Sequence, residues 1–125
     1  MKAWIGTVAL IGLLGSSGAM AADPRFDGNE LLEECQQYIK AIDGEKSFDG
    51  LKAGICGGFV AGVRNTVSFF NENLKKDERH CIPANVTNGQ LVRVVVKSLQ
   101  DKPQMLHMER TGLVWIAIRN AYPCK

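Results

Sequence analysis

The chain has 125 residues, a formal charge of +2 and about 22% charged side chains. With no basic stripe and no alternation of aromatic and basic residues, the charge gives no reason to expect a nucleic-acid partner. The length fits one domain, not several.

The first 21 residues read as a targeting segment. Lys2 supplies a positive start, Ala3 to Gly18 is uncharged and mostly apolar, and Ala19-Met20-Ala21 is a small-x-small cleavage site. A membrane anchor is the competing reading. The Gly and Ser content of the run and the well-placed cleavage site favour a secretory signal peptide over residues 1–21. The mature domain is then residues 22–125, about 104 residues with 14 basic and 13 acidic side chains. No further membrane contact is expected of it. A domain this small buries only about two-thirds of its unfolded surface, so covalent cross-links add useful stability.

All four cysteines, Cys35, Cys56, Cys81 and Cys124, fall in that mature part. An even count in an oxidising compartment predicts two disulfides, and the host compartment that fits best is a bacterial periplasm. The absence of Cys-x-x-Cys spacing argues against a thioredoxin-like redox site and covalent haem.

Asp27 is placed to cap a first helix, with Glu30 as its capping-box partner and Phe26 and Leu31 as a hydrophobic staple. Leu31, Leu32, Cys35, Ile39 and Ile42 repeat with helical spacing, and Asp43-Gly44 ends the run. A second helix starts near Ser47 to Asp49. Its expected apolar face is Leu51, Ile55, Phe59, Val63, Val67 and Phe70, and Gly54, Gly58 and Gly62 also step by four. Such glycines mark a groove where another helix backbone approaches closely, within the domain or in a dimer. Lys52 and Arg64 interrupt the segment and argue against a membrane-spanning version of the motif.

Residues 71–80 form the most charged stretch and read as a solvated helix end and loop. Loops on a rigid scaffold often carry binding, so Lys75, Lys76, Asp77, Glu78, Arg79 and His80 are the candidate partner-binding residues, with Asp43 to Lys46 second. A third helix starts at Thr87, with Gln90 closing the capping box and Val86 and Leu91 the staple. Its expected core face is Leu91, Val92, Val95, Val96 and Leu99. Val94-Val95-Val96 favours a strand by propensity, but the cap and the 3.6-residue period favour a helix. A fourth helix is expected with Asp101 as its cap, Pro103 in its first turn and a break near His107. Glu109 to Ala121 is apolar almost all round, and Pro123 stops it.

The fold class is therefore all-α, a small bundle of about four main helices arranged as two disulfide-stapled hairpins. Residues equidistant from a hairpin turn lie level on antiparallel helices. Cys35 and Cys56 flank the Asp43–Ser47 turn symmetrically, and Cys81 and Cys124 flank Lys102-Pro103. The predicted pairs are Cys35–Cys56 and Cys81–Cys124.

No catalytic motif is present: there is no His-Glu-x-x-His, no Gly-x-Ser-x-Gly and no phosphate-cradling loop. His80 and His107 are the only histidines, and with every cysteine paired a Cys–His hydrolase lacks its thiol. Met105-Leu106-His107-Met108 carries soft ligands suited to Cu(I), but Met and Leu beside a helix start are more often core filler. No catalytic residue, metal or cofactor is assigned.

The order Cys56-Gly57-Gly58-Phe59-Val60-Ala61-Gly62, Cys81-Ile82-Pro83, Val86-Thr87-x-x-Gln90-Leu91, Val94-Val95-Val96-Lys97, Lys102-Pro103, Leu106-His107 and Ala121-Tyr122-Pro123-Cys124 resembles the Rap/Tai family of immunity proteins. The resemblance covers most of residues 29–125. It implies a periplasmic, all-helical homodimer that binds a peptidoglycan amidase delivered by type VI secretion and occludes its cleft, without catalysis of its own. The matched residues are mostly caps, turns and cysteines, so they speak to scaffold more than to the contact surface. A periplasmic stress chaperone using an apolar helix face is the alternative of a different class.

Overall fold

In the computed structural model, which describes residues 26–125, four α-helices carry the fold: α1 Gly28–Ile42, α2 Gly50–Phe70, α3 Asn88–Asp101 and α4 Arg110–Ala121. The expected signal peptide, residues 1–21, lies outside the described residues. Among those described, no helix is long and apolar enough to cross a membrane.

Each helix starts where a side chain meets the orphan N–H groups of its first turn. Asp27 accepts from the Glu30 N–H at 3.1 Å, and Asp49 from the Lys52 N–H at 3.0 Å. Thr87 and Gln90 close a reciprocal capping box at 3.2 and 2.8 Å. The box expected at Asp27 does not close, because Glu30 turns its carboxylate to Arg110 at 3.2 Å. α1 ends in a Schellman motif: Gly44 takes φ 78°, its N–H donates to the Ala41 carbonyl, and that of Glu45 donates to Lys40. A residue with a Cβ is strained at that φ, so the turn between the first two helices needs its glycine.

α1 and α2 form one hairpin, α3 and α4 the other, and the two pack into a single core. Leu31, Val60, Leu91, Val92, Val95, Val114 and Ile118 are fully buried. Both predicted disulfides are present. Cys35–Cys56 is fully buried in that core and Cys81–Cys124 closes the far end, each with Cα atoms 5.0 Å apart. The buried face of α3 is the expected one.

Two expectations are corrected. Of the expected α2 face, Val63 is buried and Phe59 and Val67 pack against the core, but Leu51 is 76% exposed and Ile55 and Phe70 are also exposed; the buried face is Ala53, Cys56, Gly57, Val60 and Val63. A step of four residues overshoots one helical turn by about 40°, so a line stepping only by four winds off the core; a core face needs threes and fours mixed. The glycines that step by four wind with it. Apart from chain neighbours and the adjacent backbone of α2 itself, no atom lies within 4 Å of a Cβ built at Gly54, Gly58 or Gly62. The closely packed glycines are others: a Cβ at Gly57 would lie 2.6 Å from the Tyr38 ring, and one at Gly28 would lie 2.6 Å from Leu113.

The second correction concerns α4. Asp101 does not cap it. Asp101 is the last residue of α3 and pairs with Lys97 at 2.9 Å. A single 3₁₀ turn, Pro103–Met105, follows, and α4 begins only at Arg110. Its cap is Glu109, whose carboxylate accepts from the Thr111 and Gly112 N–H groups at 2.8 and 3.1 Å and from the Thr111 hydroxyl at 2.7 Å.

Candidate partner-binding surfaces

The charged loop after α2 is held by its own side chains. Arg79 donates to the carbonyls of Leu74 and Glu72 at 2.8 and 3.0 Å, and Glu78 accepts from the Lys75 N–H at 3.0 Å. The Trp115 indole on α4 donates to the Glu78 carbonyl at 2.9 Å. His80 is only 3% exposed and makes an isolated antiparallel bridge to Pro123, and the Cys81 N–H donates to the Tyr122 carbonyl at 2.8 Å. Of the six candidate residues, Lys75, Lys76 and Asp77 therefore face solvent, Glu78 and Arg79 are half-buried, and His80 is buried. The other candidate loop, Asp43 to Lys46, is exposed, and the Asp43 carboxylate is tied to Arg93 of α3.

His80 lines a cavity of about 440 Å³ with Arg64, Ser68, Asn71 and the Cys81–Pro83 segment. Its Nε2 has no hydrogen-bond partner. Burial holds the imidazole below its ordinary value of 6.5, and the nearby Arg64 charge lowers it further, against a hydrogen bond to its own backbone.

The opposite side of α2 presents a different surface. A groove of about 590 Å³ runs over Gly54, Gly58 and Gly62, walled by Ile55, Phe59 and Phe26. Arg110 lies at one end of it. This guanidinium is 2% exposed and pairs with Glu34 at 3.0 Å and Glu30 at 3.2 Å. It also lies over the Phe26 and Phe59 rings, 5.1 and 5.2 Å from their centroids. Burial raises the Glu34 carboxyl above its ordinary value despite the Arg110 charge, and Glu30 adds to the rise. Arg110 thus joins α4 to α1 electrostatically.

Sequence reading passed over Arg110, although it opens an otherwise apolar helix and Glu30 and Glu34 stand at i and i+4 on α1. Arg64 stands out in the sequence only as a break in an apolar run, and Ser68 and Asn71 carry no motif, yet their spacing puts a polar stripe on one side of α2. The Met105–Met108 segment has a structural task instead: the carbonyls of Leu106 and Met108 accept from the Asn29 and Gly28 N–H groups, both at 3.1 Å. Among the described residues, no group of three or more His, Cys, Asp or Glu side chains is placed to hold a metal ion.

No curated protein and no solved structure matches the chain. A family model does, over residues 27–124, and its description is Rap1a immunity proteins. That span takes in all four helices and all four cysteines, beginning at the Asp27 cap and ending at Cys124. The chain belongs to the Rap1a family of immunity proteins.

Proposed function

We propose that this protein is a periplasmic immunity protein that binds a peptidoglycan amidase delivered by type VI secretion and blocks its cleft, with no catalysis of its own. The family match over residues 27–124 carries the reading. Export would be directed by a signal peptide at residues 1–21, removed once the chain has crossed the membrane. Steric occlusion requires a stiff scaffold and an exposed contact segment. Two disulfides supply the first, and the solvent-facing Lys75, Lys76 and Asp77, anchored by Arg79 and Trp115, are the proposed second. Asp43 to Lys46 is the next candidate.

The working unit is proposed to be a homodimer built on the open face of α2. A two-fold interface needs knobs and holes on one self-complementary patch. Leu51 and Ile55 are exposed knobs, and Gly54, Gly58 and Gly62 are the holes on the same side of the helix. The same open apolar face also favours the second reading, a periplasmic stress chaperone.

The test is peptidoglycan cleavage by a candidate type VI amidase effector, with and without a molar excess of this protein. Loss of cleavage is expected, and unchanged cleavage refutes the pairing. Suppression of client aggregation at low pH, without amidase inhibition, would select the chaperone.

A further inference from the structure

A cavity at the C-terminal end of α2 lies beside the bridge between His80 and Pro123. Arg64, Ser68 and Asn71 stand at i, i+4 and i+7, so one stripe of the helix delivers a guanidinium, a hydroxyl and an amide to the same wall. The opposite wall is His80 and the start of the Cys81–Pro83 segment. Two polar atoms are buried there without a partner, Nε2 of His80 and Oδ1 of Asn71. The His80 side belongs to a residue 97% removed from solvent, given its 3% exposure. Arg64 is half-buried, and no carboxylate among the described residues forms an ion pair with it. Buried polar atoms in native proteins are normally satisfied, so orphans gathered round a cavity point to a group that enters it.

We infer that the Arg64–Ser68–Asn71–His80 cavity is a carboxylate-binding pocket. A guanidinium takes a carboxylate through two parallel N–H bonds. Ser68 donates its hydroxyl, and the Asn71 amide turns its NH₂ inward by a half-rotation that exchanges two atoms of similar size. His80 contributes through protonation. Its imidazole already holds its own backbone with one nitrogen; an entering negative charge favours the imidazolium, whose Nε2–H then donates to the carboxylate. Anion binding therefore takes up a proton. The α2 C-terminus, the negative end of the helix dipole, opposes an anion, and the full charge of Arg64 outweighs that partial one.

The charged groups round His80 leave this coupling to Arg64. Its chain neighbours Glu78 and Arg79 are bonded within the loop. On the α4 side, Cys81 and Cys124 are joined in the disulfide and do not titrate, and Asp77 and Arg119 line a separate cavity with Pro123 and Cys124.

The carboxylate has two possible sources, an acidic side chain of the bound toxin or a free small carboxylate. The chemistry is tested without the toxin, so it stands apart from the proposed function. The purified protein is titrated with sodium acetate against sodium chloride at equal ionic strength. The His80 ring proton is followed by NMR and separated from that of His107 with a His107→Gln variant. A saturable His80 shift is expected, with tighter binding as the pH falls below 6.5 and a raised His80 pKa at saturating acetate. Arg64→Gln should abolish saturation while leaving the thermal melt unchanged. A shift that never saturates, or saturation that survives Arg64→Gln, overturns the pocket. The second arm, which rests on the proposed function, measures toxin affinity. Weakening by Arg64→Gln together with competition by acetate assigns the carboxylate to the toxin; unchanged toxin affinity beside saturable acetate binding assigns it to a free small acid.

Discussion

Arg110 is the residue on which charge and packing converge. Removing one member of a buried ion pair leaves the other uncompensated, which costs about 3–5 kcal/mol. Arg110→Ala should lose about that much in urea unfolding at neutral pH, since it strands Glu34 in the interior. The sign of the pH dependence follows from Glu34. Its folded pKa is already raised, so the stability of its protonated form is complete below the ordinary carboxylate value and lost as pH rises through the folded one. Without Arg110 that loss grows, and the deficit of the variant should shrink on acidification toward pH 4.5. His80 runs the other way. Its folded pKa lies below 6.5, so its contribution is present above that value and is lost as pH falls from there through the folded pKa. Unfolding free energies measured across that window should slope in the wild type and flatten in His80→Gln. Neither residue was legible in its role from sequence: a single Arg or His beside an apolar run gives no sign of its burial.

At the scale of the element, α2 is the helix whose two sides have different fates. Its caps and length were readable because an Asp at the start and a polar run at the end act locally. Its face was not, since an apolar helix with scattered glycines offers several stripes and only neighbours select one. Two neighbouring glycines separate the consequences. Gly57→Ala drives a methyl into the Tyr38 ring and should cost about 1–3 kcal/mol. Gly58→Ala meets nothing within the protomer and should gain about 1 kcal/mol of helix propensity. If the α2 groove receives a second copy, the same added methyl weakens association, so sedimentation equilibrium of Gly58→Ala should shift toward monomer while dilute-solution unfolding shows a gain. Unchanged self-association would remove Gly58 from the interface.

For the whole molecule, the two disulfides hold the two hairpins by different means. By chain entropy the 43-residue loop of Cys81–Cys124 outranks the 21-residue loop of Cys35–Cys56, but only by about 0.6 kcal/mol, since the dependence is logarithmic. Burial reverses the order. Cys35 and Cys56 are wholly enclosed while Cys81 is exposed, and each buried sulfur removed forfeits roughly 1 kcal/mol of packing. Cys35→Ala/Cys56→Ala should therefore melt below Cys81→Ala/Cys124→Ala. The reverse order would mean that loop entropy dominates. The all-α class, the two hairpins and both pairings were determined by sequence, because caps, turns and the symmetry of cysteines about a turn are local or arithmetic signals. The α3 core face belongs with them, since its valines and leucines mix steps of three and four. The tertiary structure alone decided which side of α2 enters the core, that Glu30 leaves its cap for Arg110, and that His80 is buried beside Pro123 while Lys75 to Asp77 stay outside. Each of those depends on a partner distant in sequence, and the energy of burying a face or a charge is fixed by what covers it.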